Sequence, residues 1–280
     1  MKILKLSLAV AILAMILGGC AKQVQTNEWI ENNLTKPKLT TYELNTIANK
    51  IYMNETSGDP EKLMFWSKNE VFPSLGIGHF IWYPKGVPER FDQTFPSMIQ
   101  YYIDNNVKIP AWLKAVKNTG APWANRASFE RARNDPQFKE LKYLLMNTKA
   151  LQTQFFFDRL TASIPEITKN VAPQYRDHIV KSYNALAKTK GGWYPLIDYI
   201  NFKGKGIKAT ERYNNEGWGL LQVLKTMRPV PPGPNALREF SRAASIVLQR
   251  RVQNSDPSKH ESRWLKGWMN RTRAYATSIL

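Results

Sequence analysis

The sequence contains a single cysteine, Cys20, and this count sets the main constraint on the fold. No intramolecular disulfide can form, so a packed apolar core has to hold the chain together. The composition can supply such a core, because 43% of the residues are hydrophobic and 12% are aromatic. A chain of 280 residues is long enough for one large domain or two small ones.

The N-terminus has the pattern of an export signal. Lys2 and Lys5 precede an almost wholly apolar run over residues 6–17. This run is shorter than the roughly 20 apolar residues of a membrane-spanning helix, and a charged start before such a run is typical of a signal peptide. Residues 17–20, Leu-Gly-Gly-Cys, resemble the lipobox of bacterial lipoproteins. The resemblance implies a lipoprotein signal peptide over residues 1–19 and a lipid such as palmitate on Cys20.

The formal net charge of +18 favours anionic partners. For an exported protein these are phospholipid headgroups, lipopolysaccharide or the carboxylates of peptidoglycan, and the export signal argues against nucleic acid. We therefore expect a protein of the cell envelope, held by its lipid at the periplasmic face of the outer membrane, with peptidoglycan as its partner. The sequence leaves the oligomeric state open.

Behind the signal, residues 20–38 are polar and aperiodic, as expected for a tether. Residues 39–280 are predicted to form a mainly α (α+β) globular domain, with one small β-hairpin near its start and a helical C-terminal lobe. Thr40 and Glu43 have the spacing of a capping box, so the first helix should begin at residue 40 or 41. The alternating residues 74–83 predict the hairpin. Further helices are predicted to begin at 135–136, to cover 150–160, 172–188 and 211–227, and to begin at the N-cap Asn235.

Several chemistries are excluded by the absence of their motifs. The three histidines have no close cysteine or acidic partner in a metal-ligand pattern, which predicts neither a metal site nor a cofactor. The Ser-x-x-Lys and Gly-x-Ser-x-Gly signatures and a phosphate-binding glycine loop are absent. An enzyme with this sequence would therefore rely on carboxylates, and in the cell envelope that indicates cleavage of a glycosidic bond.

Glu55 is the first candidate for such a carboxylate. It follows Ile51 by four residues and so shares the apolar face of the first helix. A carboxyl at the core-facing end of an amphipathic helix is partly desolvated, and desolvation favours the protonated form that a general acid needs. The alternative from periodicity alone is a solvated residue at a frayed helix end.

The hairpin at residues 74–79, Ser-Leu-Gly-Ile-Gly-His, resembles the Thr-x-Gly-x-Gly-His hairpin of phage-type lysozymes. The resemblance implies a lysozyme-like fold with Glu55 as the general acid. It also implies that Ser74 takes the place of the threonine that holds water or the intermediate, and that the glycines let the backbone approach the sugar. His79 would be a structural or cleft-lining residue. The acidic position of that family corresponds to Lys68, so the second catalytic role falls to Glu70. Trp82 and Tyr83 follow as sugar-stacking candidates, with packing in or beside the core as the alternative.

A second stretch, residues 213–222, is dense in polar and aromatic groups. Its Gly-Leu-Leu-Gln at 219–222 resembles the Gly-Leu-Met-Gln segment of lytic transglycosylases and goose-type lysozymes. The stretch could form a wall of the substrate cleft, or Trp218 could belong to the core. The substrate-binding candidates are Asn214, Glu216, Trp218 and Gln222.

These observations predict a muramidase or lytic transglycosylase that cleaves peptidoglycan glycan strands. The lysine at position 68 keeps a non-catalytic peptidoglycan-binding lipoprotein on a lysozyme-like scaffold open as an alternative. The charge and the anchor alone would also fit an envelope-assembly lipoprotein.

Overall fold

The computed structural model describes residues 28–30 and 32–280. The predicted signal peptide, Cys20 and the first part of the predicted tether lie outside these residues. The protein is mainly helical with small antiparallel sheets, which confirms the predicted class at this level. None of the described helices combines the length and apolar character needed to cross a membrane.

The chain forms two compact units. The N-terminal unit comprises residues 38–159 with 279–280, and the C-terminal unit comprises residues 160–278 with the described residues up to Pro37. The elements that begin in the N-terminal unit are α1 (Thr41–Thr56), β1 (Met64–Phe65), β2 (Ser74–Leu75), β3 (Phe80–Ile81), α2 (Phe95–Asp104), α3 (Ala111–Val116), α4 (Arg126–Arg131), α5 (Pro136–Asn147) and α6 (Lys149–Lys169), with short 3-10 helices at Pro60–Leu63 and Ala132–Asn134.

Helix α1 begins as predicted. The Thr40 side chain accepts a hydrogen bond from the backbone N–H of Glu43, and the Glu43 carboxylate accepts one from the backbone N–H of Thr40. This reciprocal capping satisfies two donors that the first turn would otherwise leave unpaired. Ile47 and Ile51 on the apolar face are buried, so the helix is fixed along its length as well as at its start.

The predicted hairpin is confirmed as β2 and β3, and β1 adds a third antiparallel strand beside β2. The register aligns Met64, Leu75 and Phe80 on one face and Phe65, Ser74 and Ile81 on the other. The first three are buried and the second three are not. One face of this small sheet therefore packs on the core, and the face that carries Ser74 is open.

The C-terminal unit is built from longer helices. Its further elements are α7 (Pro173–Ala187), α8 (Trp193–Lys203), β4 (Arg212–Tyr213), β5 (Glu216–Gly217), α9 (Leu220–Thr226), α10 (Pro234–Asn254), a 3-10 helix at Pro257–Lys259 and α11 (Ser262–Ala274). The apolar face of α10 is buried from Ala236 to Leu248. The helix predicted over 172–188 agrees with α7 to within a residue at each end.

Three local predictions were wrong. The helix expected over 211–227 is a hairpin followed by the short α9, because Asn214 and Asn215 adopt positive φ angles of 49° and 61°, the conformation of a type I′ turn. Helix α10 begins at Pro234 after Gly233, so Asn235 is not its N-cap. Helix α6 continues past residue 160 through Pro165, since buried isoleucines at 164 and 167 hold its second half.

Candidate functional site

Glu55 lies in the last turn of α1, and the end of that helix is firmly held. The buried hydroxyl of Thr56 donates to the carbonyl of Tyr52 and accepts from the backbone N–H of Gly58. Ser57 then leaves the helix in the left-handed conformation, with φ 57°. The Glu55 side chain is only 14% exposed, so it is a half-buried carboxyl at an ordered position rather than a residue of a frayed end.

The turn between β2 and β3 is fixed against two other parts of the N-terminal unit. The backbone N–H of Gly76 donates to the carbonyl of Leu63, and that of Ile77 donates to Oε1 of the buried Gln152 on α6. A Cβ at Gly78 would lie 2.0 Å from the ring of Phe156. The close approach of the turn to α6 therefore accounts for the glycines at 76 and 78.

His79 ends this turn and connects it to α1. It adopts a positive φ of 47°, in the left-handed region that non-glycine residues rarely occupy. Its Nδ1 lies 3.4 Å from Oε2 of Glu55, and 36% of the His79 side chain is exposed. The structure thus brings two of the predicted site residues together.

Ser74 and Glu70 lie on the open side of the same region. Ser74 is partly exposed on the solvent face of the sheet, and its hydroxyl makes no hydrogen bond with another described residue. Glu70 lies in an exposed turn that Trp66 holds, since its indole N–H donates to the Glu70 carbonyl at 2.9 Å. Its carboxylate is on the solvent side of that turn, without a described partner.

Trp82 and Tyr83 belong to the core, which corrects their assignment as sugar-stacking residues. Trp82 is 0% exposed and packs against Phe95, with ring centroids 5.0 Å apart. Tyr83 is 2% exposed, and its hydroxyl accepts the backbone N–H groups of Arg90 and Phe91. Neither ring offers a face to a ligand, because each is covered by neighbouring side chains of the N-terminal unit.

The second predicted stretch lies in the C-terminal unit, and two of its four candidates are internal supports. Trp218 is 8% exposed, and the guanidinium carbon of Arg251 covers its ring at 4.0 Å from the centroid. Gln222 accepts from the backbone N–H of Gly219 and donates to the carbonyl of Gly206. The Gln222 amide thus joins two close backbone segments and is not available to a substrate, which corrects that assignment.

Asn214 and Glu216 remain on the surface of this hairpin. The Asn214 amide donates to Oδ1 of Asn254 at 3.4 Å. Oε2 of Glu216 lies 3.6 Å from Nε of Arg250, and both side chains are substantially exposed. Asn214 and Glu216 are therefore both accessible, and each already has one partner. Surface ion pairs such as that of Glu216 contribute little to stability.

Two features of the structure were missed by sequence reasoning. The first is a set of buried carboxylate–arginine pairs in the C-terminal unit, in which Asp198, Glu239 and Glu261 take part. A lone aspartate inside the apolar run at 193–202 was the available signal. The second is an aromatic cavity in the N-terminal unit. Its residues come from separate helices, so no sequence pattern marks it.

Within residues 28–30 and 32–280, no group of three or more His, Cys, Asp or Glu side chains is arranged to hold a metal ion. The comparisons give no relative. No protein family model, curated protein or solved structure matches this chain.

Proposed function

We propose that the protein cleaves glycan strands of peptidoglycan, with a lysozyme-like N-terminal unit and Glu55 as its general acid. The observation that carries the proposal is the contact between Glu55 and His79 across the first helix and the hairpin turn, with 3.4 Å between Oε2 and Nδ1. The order of helix, acid, short sheet and helical segment in this unit is that of the phage-type lysozymes that the hairpin sequence resembles.

The surroundings of Glu55 suit acid catalysis. Its side chain is only 14% exposed, so the carboxyl is shielded from most of the solvent. In the proposed reaction Glu55 donates its proton to the glycosidic oxygen as the bond to the sugar carbon breaks. His79 acts as a positioning residue, since its ring nitrogen faces the carboxyl and limits the rotamers that Glu55 can adopt.

The position of Glu70 favours a mechanism with one carboxyl. Glu70 is exposed in a turn, and Lys68 occupies the position that matches the second acid of the family. In a lytic transglycosylase a hydroxyl of the substrate attacks the sugar carbon, the ionised Glu55 takes up the proton of that hydroxyl, and an anhydro sugar forms. This step needs no second carboxylate and returns Glu55 to its acid form.

The test is digestion of purified peptidoglycan with mass spectrometry of the soluble products. The wild type should release muropeptides with anhydro ends, and Glu55→Gln should release none. Glu61→Gln is the matched control, because Glu61 belongs to the same unit and its side chain is 58% exposed. Release of muropeptides by a folded Glu55→Gln protein would remove Glu55 from the mechanism. Reducing-end products that disappear in Glu70→Gln would instead establish a hydrolase with two carboxylates.

A second candidate is a lipoprotein that binds peptidoglycan without cleaving it. The lysine at position 68 and the exposed position of Glu70 favour this alternative. The same digestion separates the two, because a binding protein would co-sediment with peptidoglycan and release nothing. Binding that depends on the basic charge of the protein, +18 for the full chain and +16 without Lys2 and Lys5 of the signal, should weaken as salt is added.

The proposed location is the cell envelope, with attachment through a lipid on Cys20. The support is the lipobox resemblance of residues 17–20, which lie outside the described part of the structure. Membrane fractionation of cells that express wild type and Cys20→Ser tests it. The wild type should sediment with membranes and the variant should be released, whereas an unlipidated N-terminus in the mature wild type would contradict the proposal.

A further inference from the structure

The N-terminal unit contains a cavity of about 250 Å³ that neither the sequence motifs nor the proposed acid explain. Trp112 on α3 and Trp123 line it together with Phe138 on α5. Asp135 and Gln137 also line it, and both are exposed, so the cavity opens to the surface. The cavity thus combines aromatic walls with polar groups at its mouth.

Both tryptophan rings are held in place before any ligand arrives. The indole N–H of Trp112 donates to Oε2 of Glu140 at 3.0 Å, which fixes the orientation of a partly exposed ring. Trp123 packs edge-on against Phe129 and Phe138, with centroids 5.0 and 5.6 Å apart. Rigid walls reduce the entropy that binding would otherwise cost, so the cavity is preorganised.

The polar groups at the mouth are available to a ligand. Asp135 stands at the N-terminus of α5, but its side chain makes no capping hydrogen bond there. Neither Asp135 nor Gln137 makes a side-chain hydrogen bond or ion pair with another described residue. A carboxylate accepts hydrogen bonds, and a carboxamide both accepts and donates them. Together they can bind the hydroxyl groups of a ring-shaped ligand.

The volume of the cavity and the hydrogen-bonding groups at its mouth narrow the class of ligand. The volume of about 250 Å³ is below the roughly 300–1,000 Å³ of sites for drug-sized ligands, so it fits one ring-sized group. Aromatic walls with a carboxylate would also suit an ammonium group. However, an ammonium group only donates hydrogen bonds, whereas the Gln137 carboxamide at the mouth both donates and accepts them, which matches the hydroxyl groups of a neutral ring.

We propose that this cavity binds one N-acetylhexosamine residue of a glycan chain, stacked on Trp112 and hydrogen-bonded by Asp135 and Gln137. The choice of an N-acetylated sugar rests on the proposed function, whereas the choice of a neutral ring with hydroxyl groups rests on the cavity itself. The cavity would then hold a strand at a second point of the unit that carries Glu55.

The experiment is an NMR titration of the full protein with N-acetylglucosamine and its β-1,4-linked tetramer. The indole N–H signal of Trp112, assigned by its loss in Trp112→Phe, should shift on titration. Trp112→Ala should weaken binding at this cavity by about tenfold or more, which corresponds to about 1.4 kcal/mol. Tyr143→Ala is the matched control, since Tyr143 belongs to the same unit and is 73% exposed. Its affinity should equal that of the wild type.

Glu140→Ala gives a second test that leaves the cavity wall in place. It removes only the acceptor that orients Trp112, so it should weaken binding less than Trp112→Ala does. No shift of the Trp112 signal with either sugar would overturn the proposal, as would equal affinities of wild type and Trp112→Ala. A larger shift with tetramethylammonium than with the sugars would replace the sugar by a cationic ligand.

The outcome is separable from that of the proposed function. Binding that depends on Trp112 in a protein that releases no muropeptides would leave the sugar site standing and refute cleavage. Muropeptide release without Trp112-dependent binding would support cleavage and refute the sugar site.

Discussion

In the C-terminal unit the buried carboxylates of the described chain face guanidinium groups, whereas in the N-terminal unit Glu55 faces an imidazole. Two guanidinium nitrogens of Arg271 donate to Asp198 at 2.7 and 2.8 Å. Arg251 also makes a bidentate pair, with two guanidinium nitrogens that donate to Glu261 at 2.8 and 2.7 Å. An arginine remains charged at any pH at which a protein folds, but a histidine does not.

The difference in partner fixes what each acid can do. Burial by itself raises the pKa of Glu261, but hydrogen bonds from Arg251 and Tyr213 outweigh it and hold that pKa below its ordinary value. Glu239 follows the same rule, with burial opposed by Arg242 and the backbone N–H of Arg228. Both remain anions and act as structural supports. Glu55, which is 14% exposed, faces the His79 ring instead and is proposed as the acid of the reaction.

The largest effect is expected from Asp198→Asn. The substitution leaves the guanidinium of Arg271, only 15% exposed, without its counter-charge and weakens the 2.5 Å hydrogen bond from the Tyr275 hydroxyl. Breaking a buried pair from one side costs about 3–5 kcal/mol. Urea denaturation followed by circular dichroism measures this loss. A change below about 1 kcal/mol would show that the pair is not a structural support.

The next largest effect is expected in the N-terminal unit, from Gly78→Ala. The new Cβ would lie 2.0 Å from the Phe156 ring, so the hairpin turn or that ring must shift. Overpacking of this kind costs about 1–3 kcal/mol, and because His79 follows directly, the contact with Glu55 should loosen as well. Gly267→Ala is the control, since nothing lies within 4 Å of its Cβ position. Equal stabilities of the two variants would contradict a close approach at Gly78.

A smaller effect with the opposite sign is expected from Lys203→Met. Burial, reinforced by the charge of Arg251, lowers the pKa of Lys203 to about 6. Between that value and the ordinary pKa of about 10.4, the unfolded chain binds more protons than the folded one, so stability rises with pH across this window. The methionine variant should lack this rise and be about 1–2 kcal/mol more stable at pH 7. Lys181→Met, at a side chain 76% exposed, should leave the rise intact. Parallel stability curves for wild type and Lys203→Met would contradict the assignment.

Much of the N-terminal unit could be predicted from the sequence, because its signals are local. The Thr40–Glu43 capping box and the apolar period fixed α1, and they placed Glu55 at its end. The glycines at 76 and 78 marked the position of the turn. The structure adds that the side chains of Gln152 and Phe156, from a helix distant in sequence, lie where a Cβ at these positions would be.

The remaining errors share one physical cause, which is tertiary packing that no local pattern reports. Strand aromatics such as Trp82 look alike in sequence whether they face a cleft or a core. Gln222 looks like a substrate ligand until the backbone segments around Gly206 and Gly219 close on its amide. The arginine partners of Asp198 and Glu261 lie 73 and 10 residues away along the chain. The pairing of Asp198 in particular could not be predicted from a local sequence pattern.

The most direct test of the central claim is a paired measurement on one variant, Glu55→Gln. Muropeptide release and the free energy of unfolding should be determined on the same preparation. The account predicts a loss of activity of roughly 10²–10⁴-fold, the usual contribution of general acid catalysis, with a free energy of unfolding equal to that of the wild type within about 0.5 kcal/mol or higher. Undiminished release of muropeptides would contradict the account. A loss of release that follows from unfolding would also contradict it, and would mean that Glu55 supports the fold as the buried carboxylates of the C-terminal unit do.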